Sequence, residues 1–433
     1  MTSRFHPSTR AYRYTLLLFV SLLTFGSYFA YDSIGALAPQ LIDALHTDRR
    51  TIGNLYTAYS VAAIFIVFFG GMLIDKLGTR KASLLFSTLI TLGALIVALA
   101  KSTWMLYLGR FVFGAGSESL VVAQSVIFAR WFKGKELAMS FGVGLTISRL
   151  GTLFSFNTES LVAKYFGSYH YAFWAAVLFC LVSWFSNVVY NVMDLKGEKA
   201  LGLSAGGAGD KIVFSDIKAF KPSFWFVTAL CVTFYSAIFP FTDLATDMFH
   251  DKWHYPTEIA SSGSFLSQIF GNYLHMFSTA PGITSIIIFG SMICAPFAGG
   301  LVDRFGRRAS VMVIGALILI PSHLILGITN VTPIAPMLLL GVAFVLVPAA
   351  MWPSIPLIVD EKRVGTAFGL CTMIQNMGLG GFPMLSGFLR DTTHDYTASQ
   401  IMFSCLGVCG LVFAVLLLRA DRREGGRLEG KSV

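Results

Sequence analysis

Three observations predict an all-α integral membrane protein with twelve transmembrane helices. The 433-residue chain is 55% hydrophobic and only 13% charged, with a mean hydropathy of +0.69. Soluble domains carry about 25% charged residues. The apolar residues fall into runs of about 20, the length that crosses roughly 30 Å of hydrocarbon as a helix. Lys and Arg gather in alternate connections, about 24 on one side and about 6 on the other. That bias puts both termini in the cytoplasm and makes the net charge of +9 a topology signal, not a nucleic-acid signal. The lipid bilayer is the expected surround, and no nucleic acid is expected as a partner.

Taken in order, the spans of the first half are Tyr14–Ala36, Ile52–Ile74, Ala82–Ala100, Met105–Ala129, Leu137–Val162 and Tyr171–Met193. Those of the second are Ser223–Thr246, Pro281–Val302, Ser310–Ile328, Ile334–Val359, Gly365–Leu389 and Ala398–Leu418. The first run is too long and too well continued for a cleaved signal peptide. Between the halves, 194–222 is rich in Lys, Gly and Ser and reads as a cytoplasmic linker. The domains are therefore expected at 1–193, 194–222 and 223–433. Cys180, Cys231, Cys294, Cys371, Cys405 and Cys409 all lie inside apolar runs without metal-site or disulfide spacing. No metal, cofactor or catalytic residue is expected, because no nucleophile triad or phosphate-cradling loop appears.

The halves repeat. Gly71–Lys81 reads GMLIDKLGTRK and Gly300–Arg308 reads GLVDRFGRR, each after the second span of its half. Two copies at equivalent positions resemble the signature loop of the major facilitator superfamily, which implies two six-helix bundles around a central cavity. Asp75, Arg80, Asp303 and Arg307 are then gating and structural residues, and they are not expected to bind substrate. Further stretches resemble a dipeptide-carrier branch of that superfamily, found in lysosomal membranes and with bacterial relatives. They are LTFGSYFAYD (Leu23–Asp32), GRFVFGAGSESLVVAQ with WFKGKEL (Gly109–Leu137), SRLG (Ser148–Gly151), FPF (Phe239–Phe241), MWP (Met351–Pro353), GTAFG (Gly365–Gly369) and IQN (Ile374–Asn376). Two departures stand out. The outer loop 249–279 is longer than that branch has, and its FLSQIFGNYLHMF stretch reads as an interfacial helix or a lid. The N-terminal tail has no acidic dileucine sorting signal, which favours a cell inner membrane over a lysosomal one.

Glu118 and Arg149 stand out because ionisable groups at bilayer depth are costly and face a cavity, a partner or a substrate. Each lies twelve residues from the cytoplasmic end of its span, roughly 18 Å in and near the midplane. The resemblance implies that Glu118 takes the ammonium of a dipeptide and Arg149 its carboxylate; Arg suits a carboxylate as a planar fork. An interhelical salt bridge without ligand is the alternative. Arg110 and Asp32 read as a structural pair nearer the outer side. Tyr28, Tyr31, Tyr56 and Tyr59 form a stripe on the first two spans, of which Tyr28, Tyr31 and Tyr59 are taken as substrate contacts. Trp352, Gln375 and Asn376 are the candidates from the second half. Glu159 and Lys164 read as a solvated edge, and His323 as structural. The function expected is facilitated uniport of dipeptides by alternating access. Two alternatives stay open: a proton-coupled organic-anion or drug transporter, and a non-transporting receptor or scaffold. An accessory subunit is left undetermined.

Overall fold

A computed structural model describes residues 6–132, 137–201, 220–259, 264–359 and 364–430. Fifteen α-helices follow in order: α1 (Arg10–Leu22), α2 (Phe25–Ala36), α3 (Ala38–Leu45), α4 (Arg49–Ala98), α5 (Thr103–Phe132), α6 (Leu137–Tyr165), α7 (Tyr169–Leu201) and α8 (Pro222–Trp253), then α9 (Phe265–Leu274), α10 (Ala280–Thr284), α11 (Ile286–Phe305), α12 (Arg308–Ile328), α13 (Ile334–Ile358), α14 (Val364–Thr393) and α15 (Thr397–Glu424). The all-α membrane architecture expected from composition is present. Eight described helical stretches are long and apolar enough to cross a membrane. Neither α6 nor α14 is among them. Both carry the polar residues that single them out: Ser148 to Ser160 on α6, and Gln375, Asn376 and Arg390 on α14.

Boundaries differ from the sequence reading at four places, each with a local cause. The first span begins at Arg10, where Thr9 accepts from Tyr12 N, and breaks between Leu22 and Phe25. The second and third spans run on as α4, interrupted only at Gly78, whose φ of 75° suits a residue without Cβ. The eighth span is split at Ser285 into α10 and α11. Helix α7 continues to Leu201, so the stretch Asp194–Leu201 is helical and not linker. Asp194 and Glu198, one turn apart, explain that extension. Arg130 donates to both Asp194 oxygens (3.0 and 2.8 Å), Arg80 to Asp194 (3.1 Å) and to Glu198, and Trp131 to Asp194 (2.8 Å). Residues 202–219 of the linker lie outside the described residues.

The repeated loops share one backbone feature. Gly78 and Gly306, each three residues after the motif Asp, both have positive φ, 75° and 66°. That register makes Arg308 the counterpart of Arg80. Arg308 is buried, whereas Arg307 is exposed and caps α12 in a left-handed conformation. The side chains of Asp75 and Asp303 lie outside the described residues, as do Lys133–Glu136 of the WFKGKEL stretch.

Two compact units result. The first holds Met1–Ser33, Ala58–Ser155 and Val162–Gly209; the second holds Ile34–Thr57, Phe156–Leu161 and Asp210–Val433. In the first unit, two glycines let helices touch backbone to backbone. A Cβ on Gly114 would stand 2.3 Å from Tyr59 O, and one on Gly151 would stand 2.3 Å from Phe25 O. In the second unit, Gly53 of α4 meets Pro383 O of α14, and Gly387 of α14 meets Arg49 O, in the same way. Glu159 is fully buried, so the solvated edge expected there is wrong for Glu159; Lys164 alone is exposed. Ser148, Thr152 and Ser155, eleven, seven and four residues earlier, are buried too, and Glu159 continues that polar side of the helix.

Close approach at Gly114 yields a direct test. Gly114→Ala should lower the stability of the purified protein by about 1–3 kcal/mol through overpacking against α4. Gly142→Ala, where an added Cβ meets nothing within 4 Å, should leave the melting temperature unchanged or slightly raised. Equal effects of the two substitutions would contradict the packing account.

Candidate functional site

The first unit gathers seven of the sequence-selected residues: Tyr28, Tyr31 and Asp32 of α2, Tyr59 of α4, Arg110 and Glu118 of α5, and Arg149 of α6. Gly114 explains part of the arrangement. It presses α5 onto the backbone of Tyr59, and Glu118 lies one turn further along α5. The Tyr59 phenol then donates to Glu118 Oε1 at 2.7 Å. Ser117, next in the chain to Glu118, shares a hydrogen bond of 2.8 Å with Ser27 of α2.

Arg110 is buried to 2% exposure, and main-chain carbonyls and aromatic rings surround it. Its Nη1 donates to the carbonyls of Ala30 (3.3 Å) and Tyr31 (3.4 Å). Its guanidinium also lies 5.1 Å from the Tyr31 ring centroid and 5.4 Å from those of Tyr59 and Phe113. Cation–π contacts of this kind reach about 2 kcal/mol when desolvated. Asp32 is buried in the field of two cations, Arg149 and Arg110. Arg110 and Asp32 thus lie in one cluster that also includes Arg149. Tyr31 and Tyr59 pack edge to face at 4.8 Å, which keeps both rings against the cation.

Arg149 reaches the same place from α6. The backbone contact of Gly151 with Phe25 sets α6 against α2, and the Arg149 guanidinium lies 5.7 Å from the Tyr28 ring centroid. The Tyr28 phenol is in the field of Arg149, Glu118 and Asp32 together. Of these three, Arg149 makes the ring contact, and Glu118 and Asp32 act on the phenol through their charge. Glu118 and Arg149 are each only partly buried, while Arg110, Asp32 and Tyr59 behind them are buried.

Trp352, Gln375 and Asn376 belong to the second unit, Trp352 on α13 and the two amides on α14. Trp352 Nε1 donates to Tyr235 Oη at 2.8 Å, and its ring stacks on Phe368 at 5.9 Å. Tyr235 stacks in turn on Phe239 at 5.7 Å. Asn376 spends its amide hydrogens on Thr372 O of its own helix (3.0 Å), and its buried Oδ1 has no hydrogen-bond partner. Gln375 is buried beside it in sequence. Tyr235 was not singled out from the sequence. Its signal was the four-residue spacing to Phe239, within reach of the FPF stretch.

A second charged cluster also went unread in the sequence. Within the second unit, Arg49 at the start of α4 grips Asp247 of α8, through Nε to Oδ2 at 2.8 Å and Nη2 to Oδ1 at 3.4 Å. Tyr396 donates to the same Asp247 Oδ2. Asp391 of α14 accepts from Arg49 N (3.2 Å) and Arg50 N (2.8 Å), capping the α4 N-terminus with a carboxylate. Arg390 bonds Asp251 at 2.7 Å and lies over the Tyr396 ring. Burial disfavours the Arg49 cation, but the Asp247 charge and hydrogen bond outweigh it and raise the guanidinium pKa further. Burial, then the Asp247 charge, holds the Tyr396 phenol well above its ordinary range, so it stays the donor. His323, read as structural, is fully buried and bonds Gln400 Oε1 at 2.9 Å. Among the described residues no group of His, Cys, Asp and Glu is placed to hold a metal.

Comparison with known proteins agrees with this architecture. The family model of the major facilitator superfamily matches residues 20–280 and 255–432. The chain is 32% identical to the lysosomal dipeptide transporter MFSD1 of Bos taurus, over 98% of this chain and 88% of that protein. It is 31% identical to MFSD1 of Homo sapiens, over 98% and 89%. Among solved structures, a bacterial homologue of the human lysosomal transporter Spinster, inward-facing and unoccupied, superposes with a TM-score of 0.72. It does so at 14% identity over 96% of this chain and 99% of that one, a likeness of fold. The chain is a multi-pass membrane protein that belongs to the major facilitator superfamily.

Proposed function

We propose that the protein carries dipeptides across the membrane by alternating access, as a facilitated uniporter, with the first-unit cluster as its clamp. The observation that carries this reading is the gathering of these charges on the tyrosines of one unit, with Glu118 bonded to the Tyr59 phenol, Arg149 over the Tyr28 ring and Arg110 over Tyr31 and Tyr59. Two carboxylates and two guanidiniums sum to zero formal charge. A zwitterion enters such a site without changing its net charge, and both of its ends are compensated in a medium where an unpaired charge is costly. Glu118 takes the ammonium, with Tyr59 holding the carboxylate in place. Arg149 offers its fork to the carboxylate, positioned against Tyr28. Tyr28, Tyr31 and Tyr59 supply faces on which peptide side chains pack. Trp352, Gln375 and Asn376 are the candidate substrate contacts of the second unit, where the unpartnered Asn376 Oδ1 suits a peptide N–H. The names of the MFSD1 relatives support the substrate class.

In the same proposal, Arg49, Asp247 and Tyr396 form a latch at the end of the molecule that the charge count assigns to the outer side. Arg80 with Asp194 and Glu198 does the same work at the cytoplasmic end. The +24 against +6 distribution of Lys and Arg, about fourfold, supports a cell inner membrane with both termini inside. A lysosomal membrane, where the named relatives reside, is the alternative.

Thermal stabilisation across a dipeptide panel tests the clamp. Free dipeptides should raise the melting temperature, and N-acetylated or C-amidated versions should raise it less. Glu118→Gln and Arg149→Ala should each weaken binding by on the order of 10–100-fold, the equivalent of one charge-assisted hydrogen bond. Uptake into liposomes should be indifferent to an imposed pH gradient. Stabilisation that survives N-acetylation, together with uptake driven by a pH gradient, would favour an anion symporter. The latch has its own test. Arg49→Ala should speed the labelling of a cysteine placed at Thr57 by a membrane-impermeant thiol reagent added outside, in a background with Cys294, Cys405 and Cys409 replaced. An unchanged labelling rate would remove the latch from the account.

A further inference from the structure

The segment from Ser264 through Val302 contains no Lys, Arg, Asp or Glu. It is longer than one crossing needs, since about 20 residues suffice. Helix α11 and its continuation account for the crossing. Helix α9 is left over, and its ten residues extend only about 15 Å, too short to span.

The surface of α9 is divided. Leu266, Phe270 and Leu274, spaced by four, are 76%, 66% and 66% exposed. Asn272 lies two residues from Phe270, about 200° around the helix, and is buried. It donates to Asn157 O of α6 at 2.7 Å and accepts from Ile259 N at 3.2 Å. Tyr273 shares a hydrogen bond of 2.8 Å with Thr158, and Asn157 donates to Ser285 Oγ at 3.1 Å. Polar bonds thus hold α9 to the end of α6 and leave its apolar stripe turned away from them. A lid would turn that stripe inward. Following α9, Phe277 packs edge to face on Phe289 of α11 at 6.0 Å, and Ile293, one turn on, is exposed. The stripe therefore continues onto the exposed apolar surface of α11.

We infer that α9 lies in the plane of the outer leaflet, with Leu266, Phe270 and Leu274 buried at the boundary between headgroups and acyl chains. Continuity with the α11 surface selects lipid as the occupant, and so does the lack of any charge along the stripe. A water-exposed apolar row of this kind otherwise marks a binding surface, and amphipathic helices of this kind lie in the interface plane. By bonding Asn157 and Thr158, α9 would also tie the outer end of α6, the helix that carries Arg149, to the depth of the bilayer.

Site-specific fluorescence tests this on the full chain in phosphatidylcholine–phosphatidylglycerol vesicles, with Cys294, Cys405 and Cys409 replaced by Ser and uptake retained. An environment-sensitive label is placed in Phe270→Cys and, as a control at the exposed C-cap beyond the stripe, in His275→Cys. The label at 270 should be quenched by lipid spin-labelled high on the acyl chain and shielded several-fold from aqueous iodide relative to 275. Equal iodide quenching at both positions would overturn the inference. So would shielding at 270 without lipid quenching, or shielding that grows with protein density, since either would assign the stripe to a protein partner or a second copy. In the same vesicles, Leu266→Asn, Phe270→Asn and Leu274→Asn combined should raise deuterium uptake across 264–279 several-fold. Unchanged uptake would also count against it.

Discussion

A charge held at bilayer depth needs compensation from its own neighbours, and much of this molecule is arranged around that constraint. Arg110 meets it with two main-chain carbonyls and three aromatic rings. Glu118 meets it with a phenol. Asp194, buried at the cytoplasmic end, meets the same need with two arginines and an indole. Each solution fixes the distance and rotation of at least two helices, so electrostatic need and helix packing are one problem. Glu118 and Arg149 differ from the rest in being partly open. In the proposed clamp they are the members that meet the ligand.

Small residues make these solutions reachable. Gly114 sets α5 on the backbone of Tyr59, and the hydrogen bond to Glu118 follows one turn later. Gly151 does the same for α6 and α2, and brings Arg149 over Tyr28. At the latch, Gly53 and Gly387 bring α4 against α14, close enough for Asp391 to cap the α4 N-terminus. The proposed clamp and latch therefore use the same device, a glycine that permits contact and a polar group that exploits it.

How much of this was legible in the sequence follows from the range of each signal. Glu118, Arg149 and Arg110 announced themselves because a charge inside an apolar run is a local anomaly. The repeated loops did so because their glycines and cations recur at one spacing. Partners were harder. That Arg110 would be satisfied by carbonyls and rings as well as by the field of Asp32 depends on how α5 crosses α2, which no spacing reveals. Asp247 and Asp251 sit near a helix end, where acidic residues are ordinarily solvated, so the latch left no trace. Glu159 was misread for the same reason. Helix α7 ran past its apolar stretch because Asp194 and Glu198 are held by Arg80 and Arg130, a tertiary cause invisible in composition.

The clamp assigns one ligand end to each side chain, and a cycle between protein and ligand variants isolates that pairing. Calorimetric affinities would be measured for a free dipeptide and its N-acetylated and C-amidated forms, on the unaltered protein, Glu118→Gln and Arg149→Ala. The account predicts that acetylation costs affinity in the unaltered protein but almost nothing more in Glu118→Gln, and that amidation behaves likewise with Arg149→Ala. Penalties for the two caps that stay the same in every variant would contradict it, and would leave Glu118 and Arg149 as structural charges.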